Sequence, residues 1–511
     1  MDTRLYSSLQ FDAALSGSTR PPLPCRILVL ADLGLSKPVL TPVSTQGYSG
    51  INDWLQHQQP EVLLQLPDLG ELKLQIDSLR DLHPQQLLRQ IQQHLILPDD
   101  DFLQLQQLKQ ALHQVNRVLH HPRIRQLEAT WRSLDRLIRF SADHPATEIL
   151  LLHQSREDLQ ENLTSTALVD SPLFQKIYAE ELGQYGGLPY SLILVDQQWS
   201  NNQQDLLELE ALAKLGQAAH APILTSVAPS LLGLDQFSQT LTPELAAELN
   251  TSRNFIKLRQ LMQQPACRYL NLVLPRVLVR PPHALQLEEA FFQEQPLDDE
   301  DAMLWGNPCY SLCSLVLNSF QQHGSYTGML NSPGDEDPLL AAYQLNPHTP
   351  PLPPIEARWP QETLSAFAHQ GFTLAGVGQH FSIAFEQPVA LHTGAGHNTI
   401  IQPDYQLPYV LTLSRVAHYL KLVLREQLGG SETLNNLETR LNQWLQGSVS
   451  AQEKPSAEVM HRKPFREALL KISISDQQQP EIHLQLTPHL RHQGQDFKLN
   501  LTSTLAGDVY G

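Results

Sequence analysis

Apolar residues run almost unbroken from Cys25 to Leu33, as in a strand buried on both faces. Glu71-Leu-Lys-Leu-Gln-Ile76 alternates instead, which predicts a half-buried strand, and Gln85 to Leu95 repeats its apolar positions at helical spacing. Together these read as a small α/β unit over residues 21–100, preceded by an exposed arm over 1–20. Helical patterns dominate from Asp101 to Phe140. Strands then alternate with helices over short connections: Glu148–Leu152, a capped helix from Ser155, Ser191–Asp196, Asp205–Ala219 and Pro222–Val227. That alternation predicts an α/β fold (α+β overall) whose mostly parallel sheets are flanked by helices. A stretch with six prolines, Asn346–Pro360, ends a unit read as 101–345 and opens one read as 346–511. The last unit holds strands around Phe372 and Phe381 and a helix over 409–428. That helix carries Val410, Leu413, Val416, Leu420, Val423 and Leu424 as its apolar stripe and is stopped by Gly429-Gly430. Two alternating strands, Glu481–Leu486 and Asp496–Leu501, close the chain as a hairpin available for pairing between subunits.

Composition narrows the function. The chain has 511 residues, 41% of them apolar and 17% charged, which suffices for several cores. A net charge of -18 argues against a general nucleic-acid binder, which needs a basic footprint. Cys25, Cys267, Cys309 and Cys313 are too few to staple such a chain and fit a reducing compartment. No basic leader with an apolar run opens the sequence. The most apolar segment, 409–428, is interrupted by Arg415, His418, Lys421 and Arg425, so membrane insertion is not expected and a cytoplasmic location is.

Candidate chemistry is sparse. There is no Gly-rich loop followed by Lys-Ser or Lys-Thr, no GxSxG and no HExxH. The run His392-Thr-Gly-Ala-Gly-His397 lacks a third glycine and reads as an irregular turn with solvated histidines. His120-His121 before Pro122 reads as a loop, and Asp298–Asp301 as a solvated acidic run. No catalytic, cofactor or metal residue is therefore assigned, and the chain is read as a non-enzyme. One face stands out: His418, Lys421 and Arg425 fall within about 60° of each other on the 409–428 helix. They form either a solvated face or a docking patch for an acidic partner, which Arg462, Lys463 and Arg466 could extend.

Several segments resemble, in order, the large subunit of the contractile sheath of bacterial type VI secretion. They are Leu127-Glu-Ala-Thr-Trp131-Arg-Ser-Leu134, Leu173-Phe-Gln-Lys-Ile-Tyr178 through Tyr185-Gly-Gly-Leu-Pro-Tyr190, and Ala218-Ala-His-Ala-Pro222. Leu232–Phe237, Leu274-Pro-Arg276, Leu304-Trp-Gly-Asn307, Leu407-Pro-Tyr409, Ser414–Lys421, Pro464–Ala468 and Thr487-Pro-His489 follow. Pro24–Asp32 and Leu74–Pro84, leading into Leu87–Ile91, are similar to the sheath small subunit, ordinarily a separate polypeptide.

The resemblance implies a fused sheath protein that stacks around an inner tube and contracts to propel it. Its partners would be other sheath subunits, the inner-tube protein and baseplate proteins. It also implies strand sharing between subunits. The candidates for that are the arm at residues 1–12 and the closing strands, with Glu481, His483, Gln485, Asp496, Lys498 and Asn500 setting register. His418, Lys421 and Arg425 become inner-tube docking candidates. The long helical region by which the family's AAA+ disassembly ATPase grips the sheath is largely missing, which puts that partner in doubt. A strand from the small subunit is missing too, so a non-polymerising cap or baseplate adaptor is the alternative. A hydrolase with a discontinuous site is a third reading.

Overall fold

The computed structural model describes residues 23–36, 41–66, 70–93, 101–142, 144–165, 167–238, 241–287, 290–297, 302–330, 353–378, 381–385, 387–392, 403–427, 434–452, 455–456, 459–460, 463–474, 480–489 and 499–504. At 93, 101–105, 165, 330, 403, 423–427, 480 and 499–504 the description is of backbone alone.

The body is a seven-stranded sheet in the order β13-β8-β7-β6-β1-β5-β2. The strands are β1 (Cys25–Ala31), β2 (Val43–Ser44), β5 (Thr147–His153), β6 (Leu192–Trp199), β7 (Ile223–Val227), β8 (Leu270–Leu274) and β13 (Phe372–Leu374). All pair in parallel except β2, which runs antiparallel to β5. Between β2 and β5 lie the hairpin β3 (Glu61–Leu66) with β4 (Gly70–Gln75) and four helices. These are α1 (Ile51–Gln58), α2 (Pro84–Gln93), α3 (Asp101–His120) and α4 (Pro122–Ser141). Helix α5 (Gln203–Ala219) follows β6, and α6 (Cys309–His323) follows two short antiparallel pairs: β9 (Val277–Arg280) with β12 (Leu304–Gly306), and β10 (Ala284–Gln286) with β11 (Phe291–Gln293). The last unit contains β14 (Gly376–Val377) with β15 (Ile383–Ala384), α7 (Leu407–Gln427), α8 (Leu434–Gln446), and a three-stranded sheet of β16 (Phe465–Ile474), β17 (Pro480–Pro488) and β18 (Leu499–Thr504).

Every residue of β1 is buried because it is an inner strand with helices on both faces. Its alternate side chains enter different cores. Cys25, Ile27, Val29 and Ala31 join α1, α4 and α6 on one side, while Leu28 and Leu30 join α5 on the other. Residues 21–100 are therefore not a self-contained unit. β1 pairs in register with β5 and β6, and the core that takes Trp54, Leu74 and Ile91 also takes Trp131 and Leu312. The local pattern announced β1, β4 and α2 but not β2, α1 or β3, and no periodicity reports which strand lies beside which. The helical stretch from 101 breaks once, at Pro122, where the His121 ring nitrogen accepts the Arg123 amide at 3.2 Å and caps α4. All four cysteines are buried and unpaired.

Candidate assembly site at the C-terminal sheet

Helix α7 joins the body to the C-terminal sheet. Leu407 and Leu411 enter the body's core, whereas Tyr409, Leu413, Val416 and Leu420 enter a third core shared with α8 and the C-terminal strands. His418, read as part of a docking face, is 3% exposed, and its Nε2 lies 2.9 Å from the Ala219 carbonyl at the end of α5. Burial drives its pKa down to about 4, partly offset by the Ala219 bond, so the ring is a neutral donor there. Lys421 is half-buried, its Nζ 4.9 Å from the Tyr178 ring centre and 3.4 Å from that hydroxyl. The side chain of Arg425 lies outside the described residues. His418 and Lys421 thus face the protein's own body. A helical wheel finds an outward face when a helix meets one core, and α7 sits between two.

The sequence pattern called the last two strands a hairpin; the structure adds a third. β17 lies in the middle, antiparallel to β16 and to β18. Glu481, His483 and Gln485 therefore stand on a strand with no free edge, and His483 Nε2 is held 2.9 Å from Ser473 Oγ on β16. Asp496 and Lys498 lie outside the described residues, and Asn500 sits in β18, in register with Gln485. The inner face of this sheet, with Phe465, Ala468, Leu470, Ile482, Leu484 and Leu486, packs against Leu437, Leu441, Trp444 and Leu445 of α8. The start of the described chain is anchored here as well. The Leu23 amide donates to Tyr419 Oη at 3.1 Å, and Arg415 donates to the Leu23 carbonyl at 2.8 Å.

Sequence reasoning missed β16 and the polar stripe of α8 that covers it. Asn442 accepts from the Leu470 amide at 2.9 Å and donates to the Leu470 carbonyl at 2.8 Å. Glu438 accepts from the Ile472 amide at 2.8 Å, and Gln446 donates to the Ala468 carbonyl at 3.4 Å. The alternation of Ala468, Leu470 and Ile472 with Glu467, Leu469 and Lys471 was a usable strand signal; the basic cluster before it drew the reading toward charge instead.

Buried acids elsewhere are committed to structure. Asp196 on β6 accepts from Thr130 at 2.6 Å, Tyr310 at 2.8 Å and Asn307 at 3.0 Å, tying α4 and α6 to the sheet while burial raises its pKa. Asp32, at the carboxyl end of β1 where such sheets often bind ligands, is held by both terminal nitrogens of Arg123. His153 Nδ1 beside it accepts the Leu33 amide at 3.0 Å. Two histidines read as solvated or looped are buried: His120 at the end of α3, 3.6 Å from Glu294, and His392, stacked on Tyr405. Among the described residues no cluster of three or more His, Cys, Asp or Glu converges as a metal site, and no helix is long and apolar enough to cross a membrane.

Comparison with known proteins bears on this architecture directly. A model of the EvpB/VC_A0108 tail sheath N-terminal domain matches residues 104–343, and one of the EvpB/VC_A0108 tail sheath gpW/gp25-like domain matches residues 396–505. The chain is 26% identical over 422 residues to the type VI secretion system sheath protein TssC1 of Pseudomonas aeruginosa, spanning 77% of this chain and 83% of that protein. Among solved structures it is similar to a chain of the anti-feeding prophage baseplate, at 8% identity, coverage of 96% and 95%, and a TM-score of 0.42. It is also similar to a sheath tail protein of Listeria innocua, at 8% identity, coverage of 98% and 99%, and a TM-score of 0.37.

Proposed function

We propose that this chain, which belongs to the contractile tail-sheath family as a structural subunit, is a fused one, whose first hundred residues do the work of a separate small subunit. The observation that supports fusion most is β1. It comes from the stretch that resembles the small subunit, yet it is the inner strand between β5 and β6, both of which lie in the region matched by the sheath N-terminal domain. A strand seated this way would hold two polypeptides together as an intertwined pair; fusion fixes their ratio at one to one.

In this reading the protein works in the cytoplasm, stacking with other copies around an inner tube, with baseplate proteins at the starting end. Contraction needs no catalysis by the subunit, because the energy can reside in the difference between two packing states set at assembly. Copies connect by strand addition to the C-terminal sheet, where β18 supplies a six-residue edge.

Negative-stain microscopy of the full chain with the inner-tube protein tests the polymer: tubes or stacked rings are expected, and loss of residues 499–511 should abolish them. A stable monomer that binds only the ends of preformed sheath would make it a cap or baseplate adaptor instead. Fusion is tested separately by a protease site placed within residues 94–100. The two halves should co-elute after cleavage; halves that separate under native conditions would rule out the intertwined pair.

A further inference from the structure

The C-terminal sheet has two outer strands that are treated differently. β18 pairs with no strand on its outer side among the described residues. β16 is ten residues long, and four main-chain groups on its outer side, the Ala468 carbonyl, the Leu470 amide and carbonyl and the Ile472 amide, are met by side chains of α8. The match follows from geometry. Glu438, Asn442 and Gln446 are spaced four apart, a rise of about 6 Å along a helix, while Ile472, Leu470 and Ala468 are spaced two apart, about 6.6 Å along a strand. A helix laid along a strand edge can thus offer one polar side chain to each outward-facing residue in turn. The Asn442 amide goes furthest, giving Leu470 both the donor and the acceptor that a neighbouring strand would give.

We propose that Glu438, Asn442 and Gln446 are a specificity device that closes the β16 edge, so that this sheet accepts an extended segment of a second copy at β18 alone. The consequence is directional assembly. A sheet open at both edges would take strands from two sides and allow branched or mispaired contacts; a sheet open at one edge takes a single partner in a defined sense. The ladder fits closure better than plain helix docking, since the apolar face of α8 already holds the helix down through Leu437, Leu441, Trp444 and Leu445. Buried apolar packing needs no bonds to the rim of the sheet. This inference rests on the strand-addition reading above and adds which edge is used.

A synthetic peptide of residues 480–488 is the probe, because β17 is the strand with which both β16 and β18 already pair. With a photoreactive group at its N-terminus, it is irradiated with the full-length chain and the cross-links are mapped by mass spectrometry. Wild type should label within 499–504 and not within 465–474. The triple variant Glu438→Ala, Asn442→Ala, Gln446→Ala should gain labelling within 465–474, and the Leu470 amide should exchange with solvent about tenfold faster, the effect of one lost hydrogen bond. Asn442→Ala alone, which leaves the apolar face of α8 whole, should show the same change in smaller measure if the triple variant does not fold. Labelling of 465–474 in wild type overturns the proposal, as does a variant with a freed Leu470 amide that is labelled only at 499–504. Labelling at neither edge in either protein overturns strand addition itself, and this proposal with it.

Discussion

The two sheets of this protein solve the same problem in opposite ways. The seven-stranded sheet ends in very short strands, two residues in β2 and three in β13, so little main chain is left to recruit a neighbour. The C-terminal sheet ends in strands of ten and six residues, long enough to template another chain, and one of those edges is filled by a helix. The body is built to be complete within one protomer, whereas the C-terminal sheet keeps one edge in reserve. A structural subunit needs both, because contraction moves subunits while each must keep its own shape.

If the body is self-sufficient, its largest sensitivities lie inside it, around Glu128. This carboxylate on α4 is fully buried and binds Arg280 of β9 through both oxygens, at 2.8 and 3.0 Å, with Arg132 at 2.7 Å. Burial alone would raise its pKa; the two guanidinium groups hold it down to about 2. Arg280 in turn reaches Glu294 at 2.7 Å, so the network joins α4 to the segment after β11. Glu128→Ala should cost about 3–5 kcal/mol in denaturant unfolding, because it removes one of the two carboxylates that balance the buried Arg280. Glu128→Gln, which keeps the shape and one acceptor, should cost less. Loss of stacking with unchanged unfolding stability in either variant would break the division between a self-contained body and an assembling sheet.

Acid should attack the join between the two sheets through His418 in the same pH window in which it attacks the body through His283, which burial lowers to about 3. His418 is held neutral with a pKa near 4, and its neighbour His220, hydrogen-bonded to Tyr269, is lowered to about 3 by burial. An unfolded histidine titrates near 6.5, so between that value and the folded ones the unfolded chain binds more protons. Stability therefore falls as pH drops below about 6.5, by on the order of 3 kcal/mol from His418 by pH 4. The Glu128 contribution is lost later, between about 4.5 and 2. Thermal unfolding followed against pH should show the early loss, and His418→Gln, which can still donate to the Ala219 carbonyl, should remove the His418 share of it while that of His220 and His283 stays. A profile unchanged by that substitution would mean that the join is not where acid acts.

Much of this design was legible in the chain. The runs at Cys25–Leu33 and Ser191–Asp196 announced buried parallel strands because their apolar residues are continuous, and Ser155 announced a cap that forms with Asp158. Hidden from the pattern was everything that depends on who sits beside whom. β1 reads identically whether it belongs to a separate unit or to the middle of the large sheet. His418 reads as a polar face of α7 until Ala219, 199 residues away, turns out to be its partner. The α8 ladder was hidden for a third reason: Glu438, Asn442 and Gln446 look like an ordinary wet face, and only an adjacent strand edge gives them work.

The smallest expected effect tests the seam from its wet side. Lys421 lies over the Tyr178 ring and is half-exposed, so the contact is a cation–π pair screened by solvent, about 0.5–1 kcal/mol. Lys421→Met keeps most of the apolar stem and should lower stability by no more than that amount. If Lys421 gripped an inner tube, the same substitution would leave the monomer nearly unchanged and yet reduce co-assembly severely. If it only braces α7 against the Gln175–Gly183 helix, tube formation should stay within about fivefold of wild type, the most that a loss of about 1 kcal/mol allows. Tyr178→Leu distinguishes the cases further. Removing the ring should mimic Lys421→Met when the residue is a brace and should leave co-assembly intact when the ammonium acts on a partner. The bracing role is the one the contacts favour, because a lysine paired with its own body at 4.9 Å has less of its charge to offer elsewhere.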